Sequence, residues 1–318
     1  MGEALVRLEP PGRRPLEQTA ALDVSIGGAE LNTLIALSQL GYETRLLTRL
    51  PANPLGRLIV RHARSYAVDV AAEWDPAGRA GLYFVERGAA PRATSVLYDR
   101  ATSSAAGLHS GLFDWAKVAS GASAVHVTGI TCALGAGPHG AVRALLQAAR
   151  AQSVLTSFDL NHRSRLWSDG DASAAFRDLL PLADIVFASP HDLSLLLGRP
   201  GPAAELAQAL ADSYGAMTVV VRETSCPGPD QVEVTVRVLG AETAESTTVG
   251  ARVVDPFGAG DVAAGIFLGC WLAGKGPAAA ADFAARAYAH MNTIPGDAWA
   301  GTLLELDPSY TRGRTILR

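Results

Sequence analysis

The run Val253-Val254-Asp255-Pro256-Phe257-Gly258-Ala259-Gly260-Asp261 carries a β-branched segment into a glycine-rich turn, and an apolar helical pattern begins at an acid. Such a junction can hold an anion. The free N–H groups of a first helical turn point outward, and the helix dipole favours negative charge there. Glycines let the backbone approach a ligand closely. Amides so placed could stabilise charge building up on a phosphoryl group in transfer. Asp261 sits at the same helix start, where a carboxylate is favoured, and could take the proton of an attacking hydroxyl. Spacing alone leaves a second reading open, in which Asp261 merely caps the helix.

Two further runs carry polar groups in useful patterns. Gly27-Gly28-Ala29-Glu30-Leu31-Asn32 opens a helical pattern whose apolar positions include Leu34, Leu37 and Leu40. Two glycines allow a polyol to lie against backbone, and the Asn32 amide offers both a donor and an acceptor to hydroxyls. The plainer reading is a strand–turn–helix junction with Asn32 facing solvent. Ser157-Phe158-Asp159-Leu160-Asn161-His162-Arg163 leaves a strand with alternating polar side chains. An arginine there can grip a carboxylate with two parallel hydrogen bonds; a surface cluster of ion pairs is the alternative.

Composition narrows the classes. The chain has 318 residues, 48% of them hydrophobic and 18% charged, enough for a large core. A net charge of −4 gives no basic field for nucleic acid or an anionic membrane. The three cysteines, Cys132, Cys226 and Cys270, are far apart and form no CxxC, so a reducing compartment is expected. The histidines show no HxxxH or HExxH spacing. Arg7, Glu9, Arg13 and Arg14 interrupt any apolar leader, and the most apolar stretch, Val262 to Gly274, is shorter than the roughly 20 residues a membrane span needs. A cytoplasmic protein is expected.

The elements that must position these runs alternate along the chain. Strand patterns fall at Thr44–Thr48, Ala124–Thr128, Val154–Asp159, Ile185–Ala188 and Thr218–Arg222. Helical patterns fall at Pro54–Tyr66, Pro138–Ala151, Ala172–Leu180, His191–Leu197, Ala203–Tyr214, Asp261–Ala273 and Pro277–Met291. This rhythm predicts an α/β fold with a mostly parallel sheet covered on both faces. Two pairs break it: Ala4–Leu8 with Leu22–Ile26, and Gly81–Glu86 with Thr94–Tyr98. With no helix between their members, they predict antiparallel neighbours. They form either a small lid on the α/β body or an edge hairpin of the main sheet. No linker divides the chain, so one domain over residues 1–318 is expected, with the lid formed by about 4–26 and 72–100.

Asp255–Asp261 resembles the DTxGAGD signature of the ribokinase-like (PfkB) sugar kinases. The resemblance implies a three-layer α/β/α fold with a β-sheet lid, an anion hole at Gly258, Ala259 and Gly260, and Asp261 as catalytic base. Pro256 stands where the family usually has Thr, as in its ketodeoxygluconate kinase branch. Gly27, Gly28 and Asn32 match the family's GG-x-x-x-N sugar-binding signature. Asp159, Asn161 and Arg163 match D-x-N-x-R, which implies Asp159 and Asn161 toward the metal and phosphates and Arg163 toward a sugar-acid carboxylate or a phosphate. Gly81-Leu82-Tyr83 and Tyr98-Asp99-Arg100 resemble segments facing the sugar in that branch, so Tyr83, Tyr98 and Arg100 become substrate contacts. Val127-Thr128-Gly129-Ile130 adds Ile130. Two cations, Arg100 and Arg163, suit a sugar acid better than a neutral hexose.

The nucleotide side departs from the pattern. Arg222 replaces the lysine and Thr224 the glycine of the family's V-x-K-x-G, and Ser189-Pro190-His191-Asp192 stands at its N-x-x-E. Ser189 and Arg222 remain the nucleotide contacts that the resemblance implies. The chain also begins closer to Gly2-Glu3 than family members do, which predicts a missing first strand of the central sheet. No Walker A sequence occurs. The expectation is ATP- and Mg²⁺-dependent phosphorylation of a small sugar acid, 2-keto-3-deoxygluconate foremost, with a homodimer through the lid. The alternatives are a kinase of a neutral sugar and a sugar-binding relative with an impaired ATP site.

Overall fold

The computed structural model describes residues 1–318 except 90, 215–216 and 308–318. The described chain forms two compact units, Met1–Leu31 with Arg45–Ile185, and Asn32–Thr44 with Val186–Arg318.

In the first unit, β1 (Leu5–Glu9) pairs antiparallel with β2 (Asp23–Gly27), and α1 (Ala29–Gln39) begins one residue after Gly28. β3 (Thr44–Pro51) and β4 (Val68–Asp75) pair together and flank α2 (Pro54–Ser65). Asn53 starts α2, its side chain accepting from the amides of Leu55 and Gly56, with Pro54 at the first helical position. β5 (Leu82–Glu86) and β6 (Ser95–Asp99) complete a separate four-stranded sheet in the order β2-β1-β5-β6. Both antiparallel pairs predicted from the sequence are present, β1 with β2 and β5 with β6. The sheet is completed by a parallel pairing of β1 with β5.

The rest of this unit is regular α/β structure. α3 (Trp115–Ala119) precedes β7 (Ala124–Thr128), and α4 (Gly129–Cys132) and α5 (Ala136–Ala151) follow it. β8 (Leu155–Asp159) then leads to α6 (Asp169–Leu179). β7 and β8 run parallel, with Thr128 opposite Asp159 at their carboxyl ends. Phe158 and Phe176 meet edge to face at 5.9 Å in the core beside them. Ahead of β1, the Gly2 amide donates to the Leu47 carbonyl at 3.1 Å, and the Met1 amine to that of His126 at 2.9 Å.

The second unit contains β9 (Ile185–Ala188), α7 (Pro190–Leu197), α8 (Ala203–Tyr214), β10 (Thr218–Ser225), β11 (Gln231–Leu239), β12 (Ala244–Glu245) and β13 (Val249–Arg252). α9 (Ala259–Leu272), α10 (Pro277–Met291) and α11 (Leu303–Leu306) follow. Its strands lie in the order β12-β11-β10-β9, with β13 also on β11. β11 is absent from the predicted elements although Val232, Val234, Val236 and Val238 alternate inward. It pairs antiparallel with β10 from Val219 to Ser225. β10 therefore runs on past Arg222, where the predicted strand ends, through Thr224 to Ser225. α9 is buried nearly all round, and Phe267 meets Phe187 of β9 edge to face at 5.5 Å. Among the described residues no helix is long and apolar enough to cross a membrane.

Candidate active site

The turn before α9 is shaped by Asp255 and Gly258. Asp255 is fully buried, and its carboxylate accepts from the Phe257 amide at 3.2 Å and the Gly296 amide at 2.8 Å. Gly258 adopts φ +75°, and a Cβ there would stand 2.5 Å from the Asp297 carbonyl oxygen. Both the torsion and the space require glycine. The first helical bond of α9 runs from the Val262 amide to the Gly258 carbonyl. The amides of Ala259, Gly260 and Asp261 therefore belong to the opening turn, which has no intrahelical acceptors for them.

Asp261 is half-buried in that turn. The Asn32 side-chain amide donates to its Oδ2 at 2.8 Å, and the Thr33 hydroxyl donates to its backbone carbonyl at 3.1 Å. The second half of α1 reaches Asp261 because α9 carries Gly265, where a Cβ would stand 2.6 Å from the Thr33 carbonyl oxygen. Asn32 is 2% exposed, and its Oδ1 has no hydrogen-bond partner among the described residues. Arg222 leans on the same turn from β10. Its guanidinium atoms lie 3.8–3.9 Å from where a Cβ on Gly260 would stand, and its Cζ lies 5.7 Å from the centre of the Phe187 ring.

Ser189 caps α7. Its hydroxyl accepts from the Asp192 amide at 3.2 Å while the Asp192 carboxylate accepts from the Ser189 amide at 2.7 Å. This reciprocal box accounts locally for both residues of the blurred acidic segment. A separate cleft of about 630 Å³ lies beyond the end of β10, lined among others by Pro227, Asp230, Gln231, Glu233 and Arg252. Arg222 and the Gly258–Asp261 turn do not line it. Among the described residues no group of three His, Cys, Asp or Glu side chains could hold a metal ion.

The first unit gathers most of the remaining candidates around Glu3. The Glu3 carbonyl stands 2.5 Å from where a Cβ on Gly28 would be, and its carboxylate stands 2.5 Å from the same point on Gly81. That carboxylate pairs with Arg100 and accepts from the Ser103 hydroxyl. The Arg100 Cζ lies 5.7 Å from the Tyr98 ring centre, and Tyr98 stacks on Tyr83 with centroids 5.9 Å apart. Gly27 ends β2 opposite Leu5. Arg100 thus shares its charge with Glu3 and offers hydrogen bonds rather than an unbalanced cation.

Ile130 and Asp159 stand at the carboxyl ends of β7 and β8. The Leu160 carbonyl lies 2.1 Å from where a Cβ on Gly129 would be, so the two loops touch. Asp159 is buried; Asn161 is buried too and holds φ +40°, a left-handed torsion uncommon outside glycine. Arg163 is exposed and forms no ion pair among the described residues. Glu30, Thr33 and Asp255 have no assigned role in the sequence reading. Buried Glu30 accepts from the Thr128 amide and hydroxyl and from the Thr131 hydroxyl at 2.6–3.1 Å, which ties the Gly27–Gly28 turn to the Ile130 loop. An acid between two sugar-site positions was the available signal, but it does not say which elements it joins.

Residues 1–290 match the model of the pfkB family carbohydrate kinases, and the chain belongs to that family. Its fold is accordingly the three-layer α/β/α ribokinase-like fold, and it is a carbohydrate kinase. It is 34% identical over 296 residues to a 2-dehydro-3-deoxygalactonokinase of Haloferax volcanii, covering 93% of this chain and 91% of that one. It is 32% identical over 310 residues to a 2-dehydro-3-deoxygluconokinase of Thermoproteus tenax, covering 93% and 88%. The solved 2-dehydro-3-deoxygluconokinase of Thermotoga maritima superposes with a TM-score of 0.91 at 32% identity, covering 96% and 95%.

Proposed function

We propose that the protein transfers the terminal phosphoryl group of ATP to a hydroxyl of a 2-keto-3-deoxy sugar acid, the gluconate or galactonate form. The single observation that carries this reading is Asp261, a carboxylate in the opening turn of α9 beside the first-turn amides that follow Gly258. Asp261 takes the proton from the acceptor hydroxyl. The oxygen attacks the γ-phosphorus, and the bond to the ADP oxygen breaks. Amides of Gly258–Gly260 receive the negative charge of the transferring group, and the Arg222 guanidinium against Gly260 adds a cation.

The acceptor lies against Gly27, Gly28, Asn32 and Ile130, under a lid made by the four-stranded sheet. Tyr83, Tyr98 and Arg100 face it from that sheet, and Arg163 takes its carboxylate. The exposed apolar Val24 and Leu97 on the edge strands of this sheet support a homodimer through it. Asp159, Asn161 and Ser189 lie toward the nucleotide phosphates. Mg²⁺ carried on the phosphates supplies charge neutralisation. Such an ion keeps water and phosphate ligands and needs few from protein. Use of ATP places the reaction in the cytoplasm.

A coupled assay with ATP–Mg²⁺ against 2-keto-3-deoxygluconate, 2-keto-3-deoxygalactonate, fructose and ribose tests the acceptor. Turnover with the two acids and little with the neutral sugars is expected; fructose or ribose outpacing both acids overturns the sugar-acid reading. Asp261→Asn should slow turnover by at least ~10²-fold with an unchanged melting temperature. Calorimetry showing sugar binding but no binding of ATP–Mg²⁺ would instead make this a sugar-binding relative.

A further inference from the structure

We infer that Glu3 is a positioning residue for Arg100. It holds the guanidinium toward the acceptor and cancels its charge, so that Arg100 takes an uncharged oxygen of the sugar acid and leaves the carboxylate to Arg163. This rests on Arg100 facing the acceptor, as proposed above.

Glu3 is the meeting point of three segments. Its backbone carbonyl oxygen lies 2.5 Å from where a Cβ on Gly28 would stand, against the turn that opens α1. Its carboxylate lies 2.5 Å from the same point on Gly81, one residue ahead of β5. A side chain at either glycine would collide with this one acid. The third segment is the turn after β6. The Ser103 amide donates to the Arg100 carbonyl at 3.1 Å, and Thr102 between them holds φ +57°. The two ends of the turn thereby converge on Glu3: Arg100 Nη2 donates to Oε2 and the Ser103 hydroxyl to Oε1. With both oxygens engaged, the plane of the carboxyl is set, and with it the direction of the guanidinium.

Arg100 keeps a donor in need of a partner. Its side chain is 8% exposed, yet Nε has no hydrogen-bond partner among the described residues. A buried N–H without an acceptor is costly, so an acceptor oxygen brought by a ligand is favoured there. The Tyr98 ring centre, 5.7 Å from the Arg100 Cζ, limits the ways the guanidinium can turn.

Charge decides which oxygen that is. Arg100 and Glu3 together carry no net charge, whereas Arg163 is exposed and forms no ion pair among the described residues. An anion gains more from an uncompensated cation than from a neutral pair. The acceptor carboxylate therefore goes to Arg163, and a keto or hydroxyl oxygen meets Arg100 Nε.

The test follows the Arg100 side chain itself by NMR of ¹⁵N-arginine-labelled protein, with Arg100→Lys identifying its Nε–H resonance. Saturating 2-keto-3-deoxygluconate with ADP–Mg²⁺, which permits no transfer, should move this resonance in the unsubstituted protein. Glu3→Gln keeps the shape and removes the charge. In it the shift should be lost, and KM for the sugar acid should rise about tenfold with KM for ATP unmoved. Arg100→Gln should raise the same KM. In the double variant the two increases should not multiply, because Glu3 acts through Arg100. Melting curves check folding. Ser103→Ala frees Oε1 and keeps both charges; it should raise KM by less, and it carries the test if Glu3→Gln does not fold. Folded Glu3→Gln with the parental KM and the parental Nε–H shift overturns the positioning role, as do two increases that multiply. Failure of the underlying reading looks different: the sugar acid leaves the Arg100 resonance unmoved in the unsubstituted protein, and Arg100→Gln leaves KM unchanged.

Discussion

The Arg100 guanidinium and the Glu3 carboxylate form an ion pair in the first unit, with the two side chains 8% and 1% exposed. Removing one partner of a buried pair leaves the other charge uncompensated, at roughly 3–5 kcal/mol. Glu3→Ala should therefore lower the urea midpoint sharply, and Glu3→Gln by less. A Glu3→Ala midpoint equal to that of the parent would mean that the pair carries no stability.

The same pairing separates the two arginines by charge. Arg163 is exposed and unpaired among the described residues, whereas Arg100 is already neutralised. Losing a hydrogen bond to a charged group costs about 1.5–3 kcal/mol. Arg163→Ala should therefore raise KM for the sugar acid by roughly 10- to 100-fold while leaving KM for ATP alone. Initial-rate measurements decide it; a larger effect of Arg163→Ala on KM for ATP would move this residue to the nucleotide side.

Gly258→Ala places a side chain on φ +75° and 2.5 Å from the Asp297 carbonyl oxygen. The strained torsion alone costs of order 1–3 kcal/mol. Both melting temperature and turnover should fall, since the turn that relaxes is the one bearing the amides of the opening turn. Wild-type turnover in this variant would show that the turn tolerates another backbone path.

The thiols should react in a set order. Cys226 is exposed, while Cys132 and Cys270 are buried. Burial pushes the Cys270 thiol up to about 11, and burial together with the nearby Glu30 carboxylate pushes Cys132 higher still. The thiolate is the reactive form. Iodoacetamide at pH 8 should therefore label Cys226 alone while the protein is folded, read by peptide mass spectrometry. Early labelling of Cys132 would contradict the packing around β7 and α4.

Acid should weaken the second unit through His290. The Trp299 indole donates to its Nδ1 at 3.0 Å, which requires that nitrogen to be unprotonated. Burial lowers the His290 pKa below the ordinary 6.5. The folded state thus favours the neutral ring, and its contribution is complete above pH 6.5 and lost as pH falls from 6.5 toward the lowered folded-state value. His62, lowered by burial as well, adds the same trend in the first unit. Urea unfolding at pH 7.5, 6.5 and 5.5 should show falling stability, with a shallower fall in His290→Gln. Identical slopes would remove His290 from the account.

The sequence by itself determined the local parts. Gly258 and the acid three residues later mark the helix start, because torsion and the free amides of a first turn are properties of a few consecutive residues. Strand and helix periods located β7, β8, β9, α9 and α10 for the same reason. Pairing across the chain was decided only in three dimensions. Asn32 meets Asp261 across 229 residues, Arg100 meets Glu3 across 97, and Glu30 reaches Thr128 across 98. These contacts depend on which surfaces pack and how closely, as at Gly265 against Thr33, and residue spacing along one chain holds no record of that distance. β11 belongs with them: its alternation is local, but its antiparallel place on β10 rests on hydrogen bonds between strands.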